Sequence, residues 1–387
     1  MVTLQTADNV LKNFYLEAIT RDIDDKSSAF FSRIEKTSMN VVGKSVSKII
    51  KTGLYGGVGA GTETGDLPMG DSGETIVLNA PLKNLYGTIQ ISDKAIRASA
   101  SNEGAFVNLL NEEMQGLLQS AKYNFSRMLF GDGSGKLANV TSYEGLCDLY
   151  VDEAQAFEEG MYIDVYSQGQ KIIENKKIAL IDKANKKIQL AGAAWSSNNG
   201  PSAGATIYLH GVQPECELTG LDALFSENEI YETDRSKNYM RPYVVDGVSE
   251  FDLEDVDKAI DAIEERSGSK VNFILCSWAV RRYLLKLARE ANVEIGMTTV
   301  GSDTHVPTYN GIPVVVDRFC PESKLYLLNT DDFKICQLCD WQWMEGEDGK
   351  ILKQVPGKPV YTATLVKYAE LVCEKPCGQG VLTGISV

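Results

Sequence analysis

The chain contains two histidines, His210 and His305. A Ser-His-Asp or Cys-His catalyst needs an imidazole base beside its nucleophile. His210 closes a strand-like run and His305 lies among Gly, Ser and Thr, and neither has a nucleophile motif next to it. Eight cysteines are scattered as Cys147, Cys216, Cys276, Cys320, Cys336, Cys339, Cys373 and Cys377. The close pairs Cys336/Cys339 and Cys373/Cys377 have the spacing of two zinc knuckles. However, Cys336-Gln-Leu-Cys339 runs straight into Asp340-Trp341-Gln342-Trp343, a strand-like text where a knuckle wants a tight turn. Buried free thiols are the expectation. The segment GGVGAG at 56–61 lacks the full G-x-G-x-x-G and no helix opens after it. Gly131 to Lys136 resembles a phosphate loop but has Phe130 and Leu137 where Gly and Ser or Thr are required. Asp331-Asp332 and Glu264-Glu265 read as solvated charges. No catalytic, cofactor-binding or metal-ligating residue is expected, and no cofactor.

Which elements, then, does the sequence build? Residues 102–130 place Phe106, Leu109, Leu110, Met114, Leu117, Leu118, Ala121, Phe125, Met128 and Leu129 on one helical face. Ser101 or Asn102 would cap this helix and Gly131-Asp132-Gly133 would stop it. At 1.5 Å per residue it spans roughly 40 Å, the length of a spine. Residues 52–73 are TGLYGGVGAGTETGDLPMGDSG, a backbone so rich in glycine that ordering it costs entropy. With strand-like text at 75–78 and 85–91 it reads as a long two-stranded excursion, 52–92, and an isolated hairpin is marginal in water. Residues 1–51 offer little to build a core and read as an arm. Residues 147–213 carry short strands (162–166, 176–181, 186–190, 205–209) of a small inserted β-domain. Residues 214–350 alternate helix and strand: Asp252 caps one helix, Ser277 another, and strands follow at 271–275, 312–316, 325–328 and 333–338. Residues 359–374 alternate as one long strand, for which the strand at 85–92 is the available partner.

The net charge is −15, which excludes a general nucleic-acid binder, because phosphate neutralisation needs clustered Lys and Arg. One stretch runs against that balance, with Arg33, Lys36, Lys44, Lys48 and Lys51 against a single Glu35. Lys44, Lys48 and Lys51 are candidates for a basic arm facing nucleic acid. No apolar run is long enough to cross a membrane, and the first residues carry no apolar signal core, so folding in a cytoplasm is expected.

The order of parts resembles the major capsid proteins of tailed phages, those with the Hong Kong 97 type fold. Gly57-Val58-Gly59-Ala60-Gly61 leading to Leu67-Pro68 is similar to that family's extended loop. Ile91-Ser92-Asp93-Lys94-Ala95-Ile96-Arg97-Ala98-Ser99, followed by a helix ending in Phe130-Gly131-Asp132-Gly133, resembles its entry to the spine helix. Tyr309-Asn310-Gly311-Ile312-Pro313-Val314 resembles the return of its axial domain. The resemblance implies an α+β fold: an arm at 1–51, an extended β-hairpin loop at 52–92, a peripheral domain at 93–146 and 351–387, an inserted β-domain at 147–213 and an axial α/β domain at 214–350. It implies that Leu54, Tyr55, Gly57, Gly59, Gly61, Leu67 and Pro68 lie on a neighbouring subunit, and that Lys44, Lys48 and Lys51 face the interior. The implied function is self-assembly into hexamers and pentamers of an icosahedral shell around phage double-stranded DNA. The implied partners are a separate scaffolding protein, a portal at one vertex, weakly held DNA and a decoration protein, with no membrane. The implied location is the virion, after assembly in the host cytoplasm. Some members crosslink Lys to Asn, but no motif fixes a partner for Lys83. An encapsulin-like compartment, an α/β enzyme with a β-domain and a tail tube are the competing readings.

Overall fold

The computed structural model describes residues 28–53, 56–66, 69–70, 73–95, 103–195, 200–226, 228–248, 251–293, 295–300, 304–346 and 349–386, with side chains from 112 onward in the first helix. That helix, Glu103–Met128, packs beside a sheet built on the strand Val360–Cys373. One edge of this strand pairs antiparallel with Lys83–Ser92, from Val360 opposite Ser92 to Ala369 opposite Lys83. This is the partner expected from the alternating sequence. Its other edge pairs with Phe333–Trp343, to which Glu35–Thr37 adds in parallel. Gly87 marks the helix crossing, since a Cβ there would lie 2.8 Å from Leu117 Cδ1.

The axial sheet has seven strands in the order Tyr243–Val245, Gly380–Leu382, Leu325–Leu328, Phe273–Cys276, Ile312–Val316, Thr304–Tyr309, Met297–Val300. Both faces of its centre are covered. Phe273 and Leu275 point into the main core, while Ile274 and Cys276 point toward two helices, Leu253–Ser267 and Trp278–Glu290. A sheet buried on both faces reads as an unbroken apolar run, here Phe273-Ile274-Leu275-Cys276. Asp252 forms a capping box with Asp255 and Gly268 ends the first helix at φ 65°, while Ser277 caps the second through Val280 N–H.

Four boundaries differ from the sequence expectation. The two strands expected to form the excursion over 52–92 lie in different sheets: Thr75–Pro81 pairs with Ser45–Lys51, and Lys83–Ser92 belongs to the long sheet. The β-domain is a closed barrel of six strands that begins at Lys136–Glu144, ahead of residue 147, and runs to Thr206–Leu209. Its first strand follows the Gly131–Gly135 turn so closely that it read as the tail of the helix region. Phe333–Trp343 belongs to the long sheet and not to the axial domain, and Gly380–Leu382 crosses back into the axial sheet. Finally, residues 28–51 are not a coreless arm. Phe30, Phe31 and Ile34 are buried, with Phe30 edge-on to Phe333 at 5.3 Å and Phe31 edge-on to Phe125 at 4.9 Å. Full burial of such a side chain contributes roughly 1.5–3 kcal/mol, enough to seat a segment that has weak local periodicity. Residues 1–27 of the expected arm, and Ser101 and Asn102, the expected cap of the spine helix, lie outside the described residues.

Candidate functional site

The Gly-rich excursion springs from an antiparallel pair, Ser45–Lys51 against Thr75–Pro81, with Val41–Val42 alongside. One face of this small sheet buries Val46, Ile50, Ile76, Leu78 and Ala80 in the main core. The other face leaves Val42, Ile49 and Val77 exposed. Alternation along a strand places these two sets on opposite faces. At the tip, Gly57 (φ 83°), Gly59 and Gly61 are exposed, as are Val58 and Met69. A Cβ on Gly57 would lie 2.9 Å from Gly70 Cα, so the two limbs of the excursion meet backbone to backbone there. Leu54, Tyr55, Leu67 and Pro68, also expected in this loop, lie outside the described residues.

The base is held by a clamp that sequence reasoning missed. Tyr231, in the left-handed region at φ 53°, accepts from Asn79 N–H through its carbonyl. Its hydroxyl donates to Leu371 O and accepts from Cys373 N–H. Burial pushes that phenol well above its ordinary pKa, so it stays protonated and able to donate. Thr233 Oγ1 donates to Val77 O, and Lys237 pairs with Glu74. Nothing in the text Ile230-Tyr231-Glu232-Thr233 signals this, because the partners lie ~150 residues away on either side in sequence.

The basic segment is largely spent within the chain. Lys48 pairs with Glu374, Lys36 with Asp340 at 3.3 Å, and Arg33 stacks over Phe273 at 5.7 Å. Lys48 thus lies in a strand with its charge engaged, and Lys44 and Lys51 are exposed. Lys83 Nζ donates to Glu215 O.

Beneath the base two ionisable side chains are fully buried. Lys367 Nζ donates to Asp340 Oδ1 at 2.6 Å and Gln337 Oε1 at 2.8 Å, and lies over the rings of Phe125 and Trp341. Burial opposes the charge on Asp340, but the attraction and hydrogen bond of Lys367, the Trp341 N–H and Lys36 outweigh it and hold its pKa at about 2. Glu370 accepts from Thr219 N–H at 2.8 Å and its own neighbour's Leu371 N–H at 2.9 Å. Burial still pushes it up to about 7. Alternation alone put both residues on the long strand but could not reveal that both faces of its C-terminal half are covered. A cleft of about 640 Å³ opens nearby between the spine helix, Leu82–Gly87 and the linker 211–217.

The residues first singled out for chemistry are not brought together. His210 Nδ1 lies 2.9 Å from buried Asp164, which also takes Lys171 and Asn175 N–H and so ties the barrel exit to a hairpin. His305 meets Thr299 on the exposed axial hairpin. The eight thiols are free, and Cys336 and Cys339 sit in a strand as expected. Among the described residues no group of three or more His, Cys, Asp or Glu side chains is placed to hold a metal, and no helix is long and apolar enough to cross a membrane.

No family model matches the chain, and no curated protein matches it. Among solved structures, the capsid asymmetric unit of cyanophage A-1(L) is similar over 92% of this chain and 91% of that one, with TM-score 0.54 and 13% identity. The capsid of a native GTA particle is similar over 93% and 91%, with TM-score 0.50 and 11% identity. The holo-SrpI encapsulin complex from Synechococcus elongatus PCC 7942 reaches TM-score 0.48 at 10% identity over 93% and 89%, too slight a likeness to carry an argument. At these identities the likeness is one of fold, and the shared fold is the Hong Kong 97 type.

Proposed function

We propose that this chain, which has the fold of Hong Kong 97 type capsid subunits, is the major capsid protein of a tailed phage: a structural shell subunit and not an enzyme. One observation carries the reading. The likeness to capsid subunits runs over nine-tenths of both chains, so it is a likeness of the whole chain and not of one domain. The subunits would assemble into hexamers and pentamers of a closed shell around double-stranded DNA, with a separate scaffolding protein, a portal at one vertex and a decoration protein as partners. Assembly would take place in the host cytoplasm.

The work of such a subunit is assembly, and the loop is the part suited to it. Its glycines are costly to order when free, and its base presents Val42, Ile49 and Val77 to solvent. Both costs are offset when a neighbouring copy covers the loop, which couples ordering to shell closure. The net charge of −15 suits a container that must let DNA slide. Lys44 and Lys51 are exposed on the basic segment, and their neutralisation with Lys48 should alter genome retention.

The test is electron microscopy of the full chain and of a chain lacking residues 55–72. The parent should form closed shells or ring-shaped capsomers, and the deletion should give a folded subunit without closed particles. A parent that stays a small oligomer under every condition overturns the reading. Normal shells from the deletion overturn the role of the loop, and shell contents distinguish a phage particle from a cargo compartment.

A further inference from the structure

The two helices on one face of the axial sheet carry opposite charge, and neither neutralises the other. On Leu253–Ser267 the exposed face carries Glu254, Asp261 and Glu265, with Glu264 half-buried beside them. Lys258, the cation on that face, is taken by Glu254 at 2.8 Å. On Trp278–Glu290 the residues Trp278, Arg282, Lys286 and Arg289 fall at helical spacing on one exposed stripe. Lys286 has a loose partner in Glu290 at 3.8 Å. Among the described residues no ion pair is formed by Arg282, Arg289, Asp261 or Glu265, and none joins the two helices.

The helix dipole explains part of this pattern and fails for the rest. Acids in a first turn and cations in a last turn are stabilised by it, which covers Glu254 and Arg289. Glu264 and Glu265 lie in the last turn of their helix, where the dipole disfavours them. Asp261 and Arg282 lie outside the terminal turns, beyond its reach, and Trp278 carries no charge for it to act on. An exposed Trp followed by Arg on one stripe is also the composition of an interface anchor.

We propose that the acidic face of Leu253–Ser267 docks on the stripe Trp278–Arg282–Lys286–Arg289 of the next copy of this chain. Because the two patches differ, the contact is heterologous, and a heterologous contact whose rotation closes generates a ring. Acid against base fixes the direction of the ring and disfavours face-to-face pairs of like patches. The inference rests on the capsid reading and names a contact that would hold one ring together.

The test is charge reversal in the full chain, read by sedimentation and electron microscopy. Arg282→Glu with Arg289→Glu makes both patches acidic. Asp261→Lys with Glu265→Lys makes both basic. Each should lower ring yield about tenfold or more at low salt, since like charges then face each other. The chain carrying all four substitutions should recover rings with the charges exchanged. Mixing the two defective chains should give alternating rings, which close with six members and cannot alternate with five. Normal rings from either double variant overturn the proposal, as does a folded quadruple variant that recovers none. A parent chain that forms no rings at all defeats the capsid reading and this contact with it, whereas intact parent rings with indifferent variants defeat the contact alone.

Discussion

Ile49 stands directly opposite Val77 across the ladder at the base of the Gly-rich excursion, and both side chains are exposed, Ile49 to 68% and Val77 to 55%. A β-branched cross-strand pair contributes about 0.2–1 kcal/mol to its own sheet. Full burial would add roughly 1.5–3 kcal/mol per side chain, a gain open only to a subunit that is covered. Replacing both by Ser should therefore cost the free subunit about 1 kcal/mol or less by urea unfolding and sharply reduce the yield of closed particles. Unchanged particle yield would show that this face stays in water.

Gly220 fixes how the chain leaves the barrel and joins the spine. A Cβ there would lie 2.5 Å from Met128 O, 2.6 Å from Gly131 O and 2.7 Å from Leu129 O. The next residue seals the junction through Leu221 N–H to Leu129 O at 2.8 Å. Three backbone carbonyls cannot swing aside as a side chain can. Gly220→Ala should destabilise the subunit by about 2–4 kcal/mol, on the scale of overpacking in a closed core, seen as a lower urea midpoint at unchanged slope. A midpoint within experimental scatter would mean that the helix end is free to move.

The parts of the fold set by local pattern were legible in the sequence. The spine helix, the capped helices at Asp252 and Ser277 and the long strand at 360–373 each announce themselves by periodicity or a cap. The pairing of that strand with Lys83–Ser92 followed from the need for a partner. Long-range burial was not legible. Phe30 and Phe31 belong to the main core only because Phe333, Phe273 and Phe125 reach them from the far end of the chain and from the spine. Lys367 and Glu370 fall on opposite faces of the strand in a period-two reading, and both are buried because sheet, spine and linker close over both faces. Tyr231 has no local signal at all. The assembly surface was legible as glycine content, but not the exposed Ile49 and Val77 at its base.

Glu370 makes stability depend on pH near neutrality. Its pKa is raised to about 7 in the folded chain by burial, from an ordinary value of about 4.3. A raised carboxyl favours the folded state in its protonated form. Its contribution is therefore complete below the unfolded pKa and is lost as pH rises through about 7. The difference corresponds to about 3–4 kcal/mol at most. Glu370→Gln keeps an acceptor for Thr219 and Leu371 N–H and removes the ionisation. The variant should gain stability over the parent between pH 5 and pH 8, as measured by urea midpoints at both ends of that range. Parallel profiles for the two proteins would mean that the carboxyl ionises without penalty.

The barrel should be separable from the rest of the chain. Its interior is a core of its own, with Leu149, Phe157, Ile163, Val165, Ile178, Ile188 and Ile207 buried against one another. Six closed strands leave no edge to be covered by a neighbour. Its first and last strands are hydrogen-bonded partners, Lys136 opposite Tyr208, so the chain enters and leaves at one point. The ion pair Arg318–Glu158 crosses to the axial side between half-exposed side chains and is worth about 0–1 kcal/mol. Residues 135–211 expressed alone should give a β-rich spectrum and one cooperative melting transition. The chain with that stretch replaced by a short Gly-Ser turn should keep its own transition within about 2 kcal/mol, since what it loses is a surface pair and little core. An unfolded excised piece would mean that barrel closure depends on the spine and axial domain. A collapse of the remainder would mean that the barrel is a structural keystone and not an insertion.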